Sequence, residues 1–322
     1  MGHSRRWTPA CLKPKGMPDL WPPACLVIGA GAMGQALMQG WRPGEHYRGR
    51  LLVSDVAPRL APNLSAWKGL SLNPQPDACG ALPLVVLAVK PQHAAAALAP
   101  WRACLTEETI LVSVMAGAPL ASLARWCAPQ RPHLVRCMPN LPSALGAGAL
   151  VFCARPRTAL VRRRVEGLFA ANGLCQWLPP AQENLLHAVT ALSGSGPAYV
   201  YYLAELLGQG WAQSRYAAAL QAALAAGGAA LGLSARLAAR LARATLNGAA
   251  AQLAEPQADA AALRRAVTSP QGTTEAALQV LADDARGWPA LVRGARPPPA
   301  FRACVLRAMR AAAGRSRALA AR

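Results

Sequence analysis

Residues 25–34 read Cys-Leu-Val-Ile-Gly-Ala-Gly-Ala-Met-Gly, a short apolar run that ends in the pattern G-x-G-x-x-G at Gly29, Gly31 and Gly34. The run predicts a buried strand, and the glycines predict a tight turn in which the backbone can approach a pyrophosphate group. Gln35 and the residues after it can start the helix whose N-terminal N–H groups bind that anion. An ordinary glycine-rich strand–turn–helix is the alternative, but the strand before the motif and the helix after it favour a dinucleotide site.

Further apolar runs follow the first one, at residues 50–55, 83–89, 109–114, 133–138 and 148–152. They alternate with alanine-rich stretches of helical spacing, which is typical of a parallel, doubly wound α/β sheet. We therefore predict a Rossmann-like domain over residues 25–180, with the cofactor at the carboxyl ends of the strands. Asp55 ends the second strand, 26 positions after Gly29, which suits the carboxylate that accepts hydrogen bonds from the adenosine ribose. A solvated aspartate at a strand end is the alternative.

The pattern changes after residues 178–180, because β-branched runs cease and Ala, Leu and Arg at helical spacing dominate. We predict an all-helical domain over residues 181–322. Two polar stretches interrupt it, at residues 193–197 and 268–275. In the second, Gly272 or Thr273 can cap a helix, so that free N–H groups and a hydroxyl face outward together and could bind a small carboxylate. On these residues alone, plain helix capping is the favoured interpretation.

The net charge of +20 comes from 34 Lys and Arg residues against 14 Asp and Glu residues. Most of the basic residues are arginines scattered singly among alanines, without a clustered stripe or interleaved aromatic residues. The charge therefore does not indicate a specific nucleic-acid site. The segment from residue 285 to residue 322 contains nine arginines and no acidic residue, and this basic tail is expected to attract polyanions without specificity.

The nine cysteines are irregularly spaced and include no C-x-x-C pair, so we predict neither a metal site nor a disulfide framework. Residues 1–24 form a proline-rich extension, predicted to be flexible, that lacks the apolar core of a signal peptide. No stretch offers 18 or more strongly apolar residues, so no membrane span is expected. The prediction is a cytoplasmic protein.

The sequence also lacks the usual patterns of acid–base and metal catalysis. It contains no H-x-x-x-H, no paired carboxylates and no Ser-His-Asp spacing, and His93, His133 and His187 are isolated. No lysine follows Lys90, so the helical domain cannot supply a lysine acid or base. These absences favour hydride transfer that needs little help from side-chain acids or bases.

Five motifs taken together resemble those of one family, the pyrroline-5-carboxylate reductases. In chain order they occupy residues 27–34, 88–92, 136–142, 188–199 and 268–274. The first motif is shared by many dehydrogenases, whereas the last three, in this order and spacing, are close to diagnostic. The resemblance implies a Rossmann-like domain followed by a helical domain that intertwines with a partner's in a homodimer, often assembled further. It also implies reduction of 1-pyrroline-5-carboxylate to L-proline with NADPH or NADH.

Carried over by motif position, the resemblance assigns two sets of residues. The cofactor set brackets the dinucleotide and comprises Gly29, Ala30, Gly31, Ala32, Met33, Gly34, Asp55, Ala88, Val89, Lys90, Pro91 and Asn140. The substrate set comprises Ser269, Gly272, Thr273 and Thr274. Within it, Thr274, whose hydroxyl is expected to hydrogen-bond the ring nitrogen, and Ser269 are the predicted catalytic residues.

The chain departs from the family pattern in its substrate half. Gln271 stands where the family usually has glycine, and a left-handed backbone there would strain it by roughly 1 kcal/mol or more. About 17 extra residues, approximately 208–224, lengthen or interrupt a helix of the dimer core. Extra sequence at 287–299 is predicted to be flexible.

Cofactor preference stays open from the sequence. Asp55 would repel a 2′-phosphate while Arg48 and Arg59 could attract one, which leans towards acceptance of NADH. Two alternatives also stay open. One is an NAD(P)-binding relative, degenerate or sensory, without reductase activity. The other is a 3-hydroxyacid-type dehydrogenase, against which the missing lysine argues.

Overall fold

The computed structural model describes residues 22–42, 46–208, 211–285 and 297–321. Most of the proline-rich extension and of the 287–299 segment, both predicted to be flexible, lies outside these residues. The described chain forms one mixed sheet followed by a group of packed helices. None of its helices is long and apolar enough to cross a membrane.

The sheet has eight strands in the order β3-β2-β1-β4-β5-β6-β7-β8. The strands are β1 (Ala24–Ile28), β2 (Arg50–Ser54), β3 (Leu70–Leu72), β4 (Leu84–Leu87), β5 (Ile110–Ser113), β6 (His133–Met138), β7 (Gly148–Arg155) and β8 (Gly173–Trp177). The first six strands are parallel, with their carboxyl ends on one edge, as predicted. The order turns back at β1, where β1 pairs with both β2 and β4, and this is where such folds bind ligands.

The last two strands run the other way. β7 pairs antiparallel with β6, and β8 pairs parallel with β7. The predicted parallel, doubly wound sheet is thus confirmed for the first six strands, and the sheet is mixed at this edge. The reason is the short connection from Met138 to Gly148, because a parallel crossover needs a dozen or more residues. Two of the strands, β3 and β8, carry few β-branched residues and were not predicted.

Twelve helices are described alongside the sheet. They are α1 (Ala32–Gly40), α2 (Pro62–Ser65), α3 (Ala94–Leu98), α4 (Leu120–Cys127), α5 (Ala159–Phe169), α6 (Leu186–Val189), α7 (Gly196–Leu207), α8 (Arg215–Ala230), α9 (Ala235–Leu253), α10 (Ala260–Ala266), α11 (Thr273–Ala285) and α12 (Ala300–Ala320). From α6 onward the described chain contains helices and no strand, as predicted for the second domain.

Alternate residues of each strand enter two different cores, because successive side chains point to opposite faces. Cys25 and Val27 pack with α1 and α5, whereas Leu26 and Ile28 share a core with Val189 and other residues of the helical part. The sheet and the helical domain are therefore joined by a continuous apolar core. A partly buried ion pair marks the same junction: Arg136 on β6 contacts Glu183 at 2.8 Å.

The predicted insertion at about 208–224 both interrupts a helix and lengthens the helical segment that follows. α7 ends at Leu207, just before Gly208 with φ +64°, and α8 begins after Ser214, whose hydroxyl caps it by accepting from the Ala217 N–H. The extra residues thus break one helix into two and supply the first turns of α8. Tyr216 in this segment packs edge-on against Phe301, with ring centroids 5.5 Å apart.

The basic tail is more ordered than its composition indicates. Residues 300–320 form α12, which buries a stripe of mostly apolar residues from Phe301 to Ala313 against the other helices. Arginines occupy the remaining faces, and Arg307 pairs with Asp284 of α11. This part of the tail is therefore a packed element of the helical domain rather than a loose polycation.

Candidate functional site

The glycine loop between β1 and α1 has the close backbone packing that the sequence predicts. Gly29 has φ +102°, and a Cβ there would lie 2.7 Å from the Ala88 carbonyl oxygen. A Cβ on Gly34 would lie 2.1 Å from the carbonyl oxygen of Gly29. Neither position tolerates a side chain without movement of the backbone, so both glycines are required by the turn itself.

The start of α1 offers free N–H groups towards solvent. The first intrahelical bond is from Gln35 N–H to the Gly31 carbonyl at 3.0 Å, so the N–H groups of Ala32, Met33 and Gly34 have no intrahelical partner. Gly31 and Ala32 are exposed, and no side chain caps the helix. An open cradle of backbone donors at a helix N-terminus fits the pyrophosphate of a dinucleotide.

Asp55 lies directly beside this loop. One carboxylate oxygen accepts from the Ala30 N–H at 2.6 Å, and the other accepts from the Ala57 N–H at 2.9 Å. These bonds fix the carboxylate at the carboxyl end of β2, where an adenosine ribose would lie in this fold. Arg48 and Arg59 are both exposed, and neither forms an ion pair within the described residues.

Residues 88–91 lie on the other side of the glycine loop. The Ala88 N–H donates to the Ile28 carbonyl at 2.8 Å, and Ala88 and Val89 are the nearest neighbours of Gly29. Lys90 is exposed and precedes a short helical turn that Pro91 begins. The predicted cofactor residues of the first two motifs are thus brought together at one edge of the sheet.

Asn140 follows β6 at the same edge, but its side chain is used internally. The residue is 1% exposed, its Nδ2 donates to the Ser193 carbonyl at 3.0 Å, and its Oδ1 accepts from the Ala149 N–H at 2.9 Å. Because both polar atoms of the side chain are bonded within the protein, only the second hydrogen of Nδ2 and the backbone groups remain for the predicted cofactor contact. The observed bonds connect the cofactor edge of the sheet to residues 190–194.

Residues 190–194 form a short π-helical turn, an arrangement that is frequent at functional sites. The Ser195 N–H donates to the Thr190 carbonyl at 2.8 Å, and the Thr190 hydroxyl lies 3.0 Å from the sulfur of Met138. The wider turn redirects the chain so that Ser195 begins α7 beside the end of β6. This explains the polar stretch at 193–197 that interrupts an otherwise apolar helix pattern.

Three hydroxyl groups converge at Ser195. Its Oγ lies 3.2 Å from the hydroxyl oxygen of Thr273 and 3.2 Å from that of Thr274. Ser195 is fully buried, and Thr274 is 6% exposed. The start of α11 is thereby fixed next to the segment that bonds to Asn140, although the two lie more than 70 residues apart in the sequence.

The predicted substrate loop closes tightly before α11. The Gly272 N–H donates to the Ser269 carbonyl at 2.9 Å, and a Cβ on Gly272 would lie 2.2 Å from the Ser269 hydroxyl oxygen. The first intrahelical bond of α11 is from Ala276 to Gly272, so the N–H groups of residues 273–275 have no intrahelical partner. Gln271 has φ +55°, so its backbone is in the left-handed conformation in which strain is expected for a residue with a Cβ.

Proton chemistry near this cluster is limited by burial. Burial raises the pKa of Tyr199 beyond its usual range, and its hydroxyl donates to the Ala191 carbonyl at 3.1 Å. Burial lowers the pKa of His187, whose Nδ1 lies 2.8 Å from the hydroxyl of Ser316. The cluster of hydroxyls and free N–H groups can position a small anion and a polar hydrogen.

Comparisons with known proteins agree with this arrangement. A family described as "Pyrroline-5-carboxylate reductase dimerisation" matches residues 183–214 and 206–295, and one described as "NADP oxidoreductase coenzyme F420-dependent" matches residues 25–117. Pyrroline-5-carboxylate reductase of Pseudomonas aeruginosa is 34% identical over 85% of this chain and 93% of its own. The enzyme of Glycine max is 32% identical over 91% of this chain and 94% of its own.

The chain belongs to the pyrroline-5-carboxylate reductase family. A solved reductase of this family from Coxiella burnetii matches 92% of this chain and 98% of its own, with a TM-score of 0.55 and 26% identity. The Plasmodium falciparum pyrroline carboxylate reductase, solved with NADP bound, matches 93% and 98% with a TM-score of 0.55 and 22% identity, which shows the shared fold. The two matched segments of the dimerisation family overlap at residues 206–214, where α7 ends and the inserted segment begins.

Two residues that contact the substrate loop, Ser195 and Arg315, were not assigned to it from the sequence. Glu275 lies within the polar stretch at 268–275 that the sequence indicates, and its carboxylate accepts from the Gln271 N–H. The Ser–Gly–Ser–Gly–Pro stretch at 193–197 interrupts an apolar helix pattern, and this interruption could have indicated that Ser195 belongs to the site. For Arg315, which is 44 residues from its contact at Gln271, the sequence contains no such signal.

The open cradle of N–H groups at the glycine loop has room for a pyrophosphate only while residue 31 has no side chain. We expect Gly31→Val to weaken NAD(P)H binding at least about tenfold, because a side chain would stand where the pyrophosphate approaches the backbone. Gly31 has φ −70°, which residues with a Cβ adopt freely, and a Cβ built there meets no atom within 4 Å. Cofactor fluorescence titration measures the affinity, and thermal unfolding checks the fold.

The matched control is Gly314→Val, also at a glycine whose Cβ would meet no atom within 4 Å, but in α12. It should leave the cofactor affinity unchanged. An unaltered affinity for Gly31→Val would contradict the placement of the cofactor at this loop.

Proposed function

We propose that this protein reduces 1-pyrroline-5-carboxylate to L-proline with NADPH or NADH. The observation that carries the proposal is the convergence of the Thr273 and Thr274 hydroxyls on Ser195, in a segment bonded to Asn140 at the cofactor edge of the sheet. The names of its relatives support the same activity. The two halves of the chain thus form one site, with a dinucleotide cradle on one side and an anion cradle on the other.

The residues of this site bind and orient rather than transfer protons. The free N–H groups at the start of α11 would hold the substrate carboxylate, as helix N-termini do with anions. The Thr274 hydroxyl donates to Ser195, which leaves its oxygen lone pairs available for the N–H of the cyclic iminium. The hydroxyl of Ser269, which stands directly over Gly272, is a further substrate contact.

Because the protein only binds and orients the reactants, no side-chain acid or base is needed. A reduced nicotinamide bound at this edge would supply a hydride to the ring carbon, and the electron pair of the C=N bond would pass to the nitrogen, which already carries its proton. No further proton is needed in this step. Thr274 aims the iminium, and the carboxylate site fixes the ring, so the contribution of the protein is positioning.

The decisive experiment is an assay of NADH and NADPH oxidation by the purified full chain with and without 1-pyrroline-5-carboxylate. We expect oxidation only when the imine is present, with L-proline as the product. Binding of the cofactor without turnover across about pH 6–8 would indicate a relative that has lost the reductase activity.

For the cofactor preference, we propose that Asp55 favours NADH. Its carboxylate is anchored by two backbone N–H groups beside the glycine loop and would repel a 2′-phosphate. Asp55→Asn keeps an oxygen acceptor for the Ala30 N–H but removes the charge. We expect it to raise kcat/KM for NADPH relative to NADH by about tenfold, equivalent to about 1.4 kcal/mol.

The control for this experiment is Asp77→Asn, which removes an exposed carboxylate from a short helical turn between β3 and β4. It should leave the ratio of the two kcat/KM values unchanged. If Asp55→Asn also leaves the ratio unchanged, the carboxylate does not face the ribose.

We further propose that the protein acts as a homodimer in which each chain carries a complete site. The match to a dimerisation family supports association through the helical domain. The cofactor edge, Ser195 and the substrate loop all meet within one chain, after the helix break at Gly208 that the inserted segment introduces. No specific nucleic-acid partner is proposed.

A cytoplasmic location is also proposed. The eight described cysteines are free, and burial raises the pKa of several of them, Cys127 and Cys153 to about 11. Such thiols stay protonated and unreactive, as suits a reducing compartment. Fractionation of cells that produce the protein tests this location.

A further inference from the structure

Gln271 holds an unusual backbone conformation directly before the proposed carboxylate site. Its φ of +55° lies in the left-handed region, which glycine adopts freely and residues with a Cβ avoid. The next residue, Gly272, closes the loop by its bond to Ser269 and begins the run of amides that precedes α11. Any relaxation of Gln271 towards a common conformation would therefore rotate the N–H groups that face the substrate.

Two charged side chains hold both polar groups of the Gln271 backbone. Its N–H donates to the Glu275 carboxylate at 2.7 Å, and its carbonyl accepts from the Arg315 Nε at 2.6 Å. Hydrogen bonds to charged groups are the stronger ones. Glu275 belongs to α11 itself, whereas Arg315 reaches the loop from α12.

The helix that carries Arg315 is itself firmly placed. Ser316 bonds to His187 of α6, and Leu319 lies against Gly117 in the loop after β5, where a Cβ on the glycine would be 3.0 Å from the Leu319 Cβ. Cys304, Ala308 and the apolar stripe between them are buried. The guanidinium of Arg315 is therefore presented to the loop from a packed helix that contacts both parts of the chain.

We propose that Arg315 is a positioning residue for the substrate carboxylate, acting through the strained Gln271 peptide. The inference rests on the proposed function for the identity of the substrate. It also explains how this chain tolerates glutamine where glycine is usual in the family: the hydrogen bond that Arg315 donates and the one that Glu275 accepts offset the unfavourable conformation. Arg315 is then needed because residue 271 is not glycine.

A double-mutant experiment tests this dependence. We expect Arg315→Met to raise the KM for 1-pyrroline-5-carboxylate about tenfold, with kcat and the cofactor affinity nearly unchanged, because the lost interaction serves binding uniformly. In the Gln271→Gly background the same substitution should change KM less than about twofold, since glycine adopts positive φ without help. Arg315→Lys should restore part of the affinity, because lysine can also donate to a carbonyl.

The control is Arg310→Met, at an exposed arginine on the same helix, which should leave KM unchanged. An equal rise in KM in both backgrounds, or no rise in either, would overturn the proposal. Hydrogen exchange of the peptide that covers residues 268–275 gives a readout independent of activity. Arg315→Met should speed this exchange only when residue 271 is glutamine, so the positioning role can be decided even if the wild-type chain reduces no imine.

Discussion

Thr274→Val should lower kcat for imine-dependent NAD(P)H oxidation by about 100-fold, the usual cost of removing one oriented polar contact from a reacting group. The substitution nearly conserves volume and deletes the hydroxyl that faces Ser195. Since the residue lies at the start of α11 and not at the glycine loop, the cofactor affinity should be unchanged. Steady-state kinetics at saturating imine and a separate titration with NADH or NADPH measure the two quantities.

The chain offers a matched control for this change. Thr245 is fully buried, and its hydroxyl has no hydrogen-bond partner among the described residues. Thr245→Val therefore makes the same chemical change in the same domain without removing a contact, and both turnover and stability should be retained. Thr274→Ser, which keeps the hydroxyl, should preserve most of the turnover. Parallel loss of turnover and cofactor affinity in Thr274→Val would instead make Thr274 a helix cap only.

A mixture of two inactive chains should remain inactive. One chain carries Gly31→Val and lacks the cofactor cradle, and the other carries Thr274→Val and lacks the substrate hydroxyl. If each chain holds its own complete site, every site in a mixed dimer has one defect. If the substrate loop of one chain served the cofactor of its partner, random mixing would restore about a quarter of the sites.

The experiment requires proof that mixed dimers form, which two different affinity tags provide. The assay uses a cofactor concentration well below the dissociation constant of the Gly31→Val chain. Wild-type chains mixed with either variant serve as the reference. If the chains associate at random, this mixture should have about half of the wild-type activity, whether each site lies within one chain or is shared between subunits. Recovery towards a quarter of the sites would show that the sites are shared between subunits and would overturn the single-chain arrangement. A fully active monomer would support that arrangement.

Local sequence patterns predicted the cofactor half of this molecule well. The G-x-G-x-x-G turn, the parallel strands β1, β2, β4, β5 and β6, and the helical second domain are confirmed. They could be predicted because each rests on a short-range rule: a glycine that must avoid a Cβ clash, an apolar run that must be buried, or helical spacing. The reversal at β7 also has a local cause, the short connection before Gly148. It was not predicted, because the apolar runs at 133–138 and 148–152 continue the pattern of the parallel strands.

The substrate half depended on long-range contacts that no local rule describes. The family resemblance named Thr273 and Thr274, yet it gave no reason for their position next to Ser195. The insertion was detected, but whether it would extend or break a helix depended on Gly208 and on the packing of Tyr216 against Phe301.

From the sequence alone one can predict a dinucleotide cradle at Gly29, Gly31 and Gly34, a helical second domain and the motifs of an imine reductase. Three contacts become visible only in the folded chain: Asn140 bridges the two domains, Ser195 joins the substrate loop to the cofactor edge, and Arg315 holds Gln271. The difference arises from distance along the chain. Backbone turns are set by neighbouring residues, whereas hydrogen bonds between residues 44 to 79 positions apart exist only after a shared core has brought their helices together.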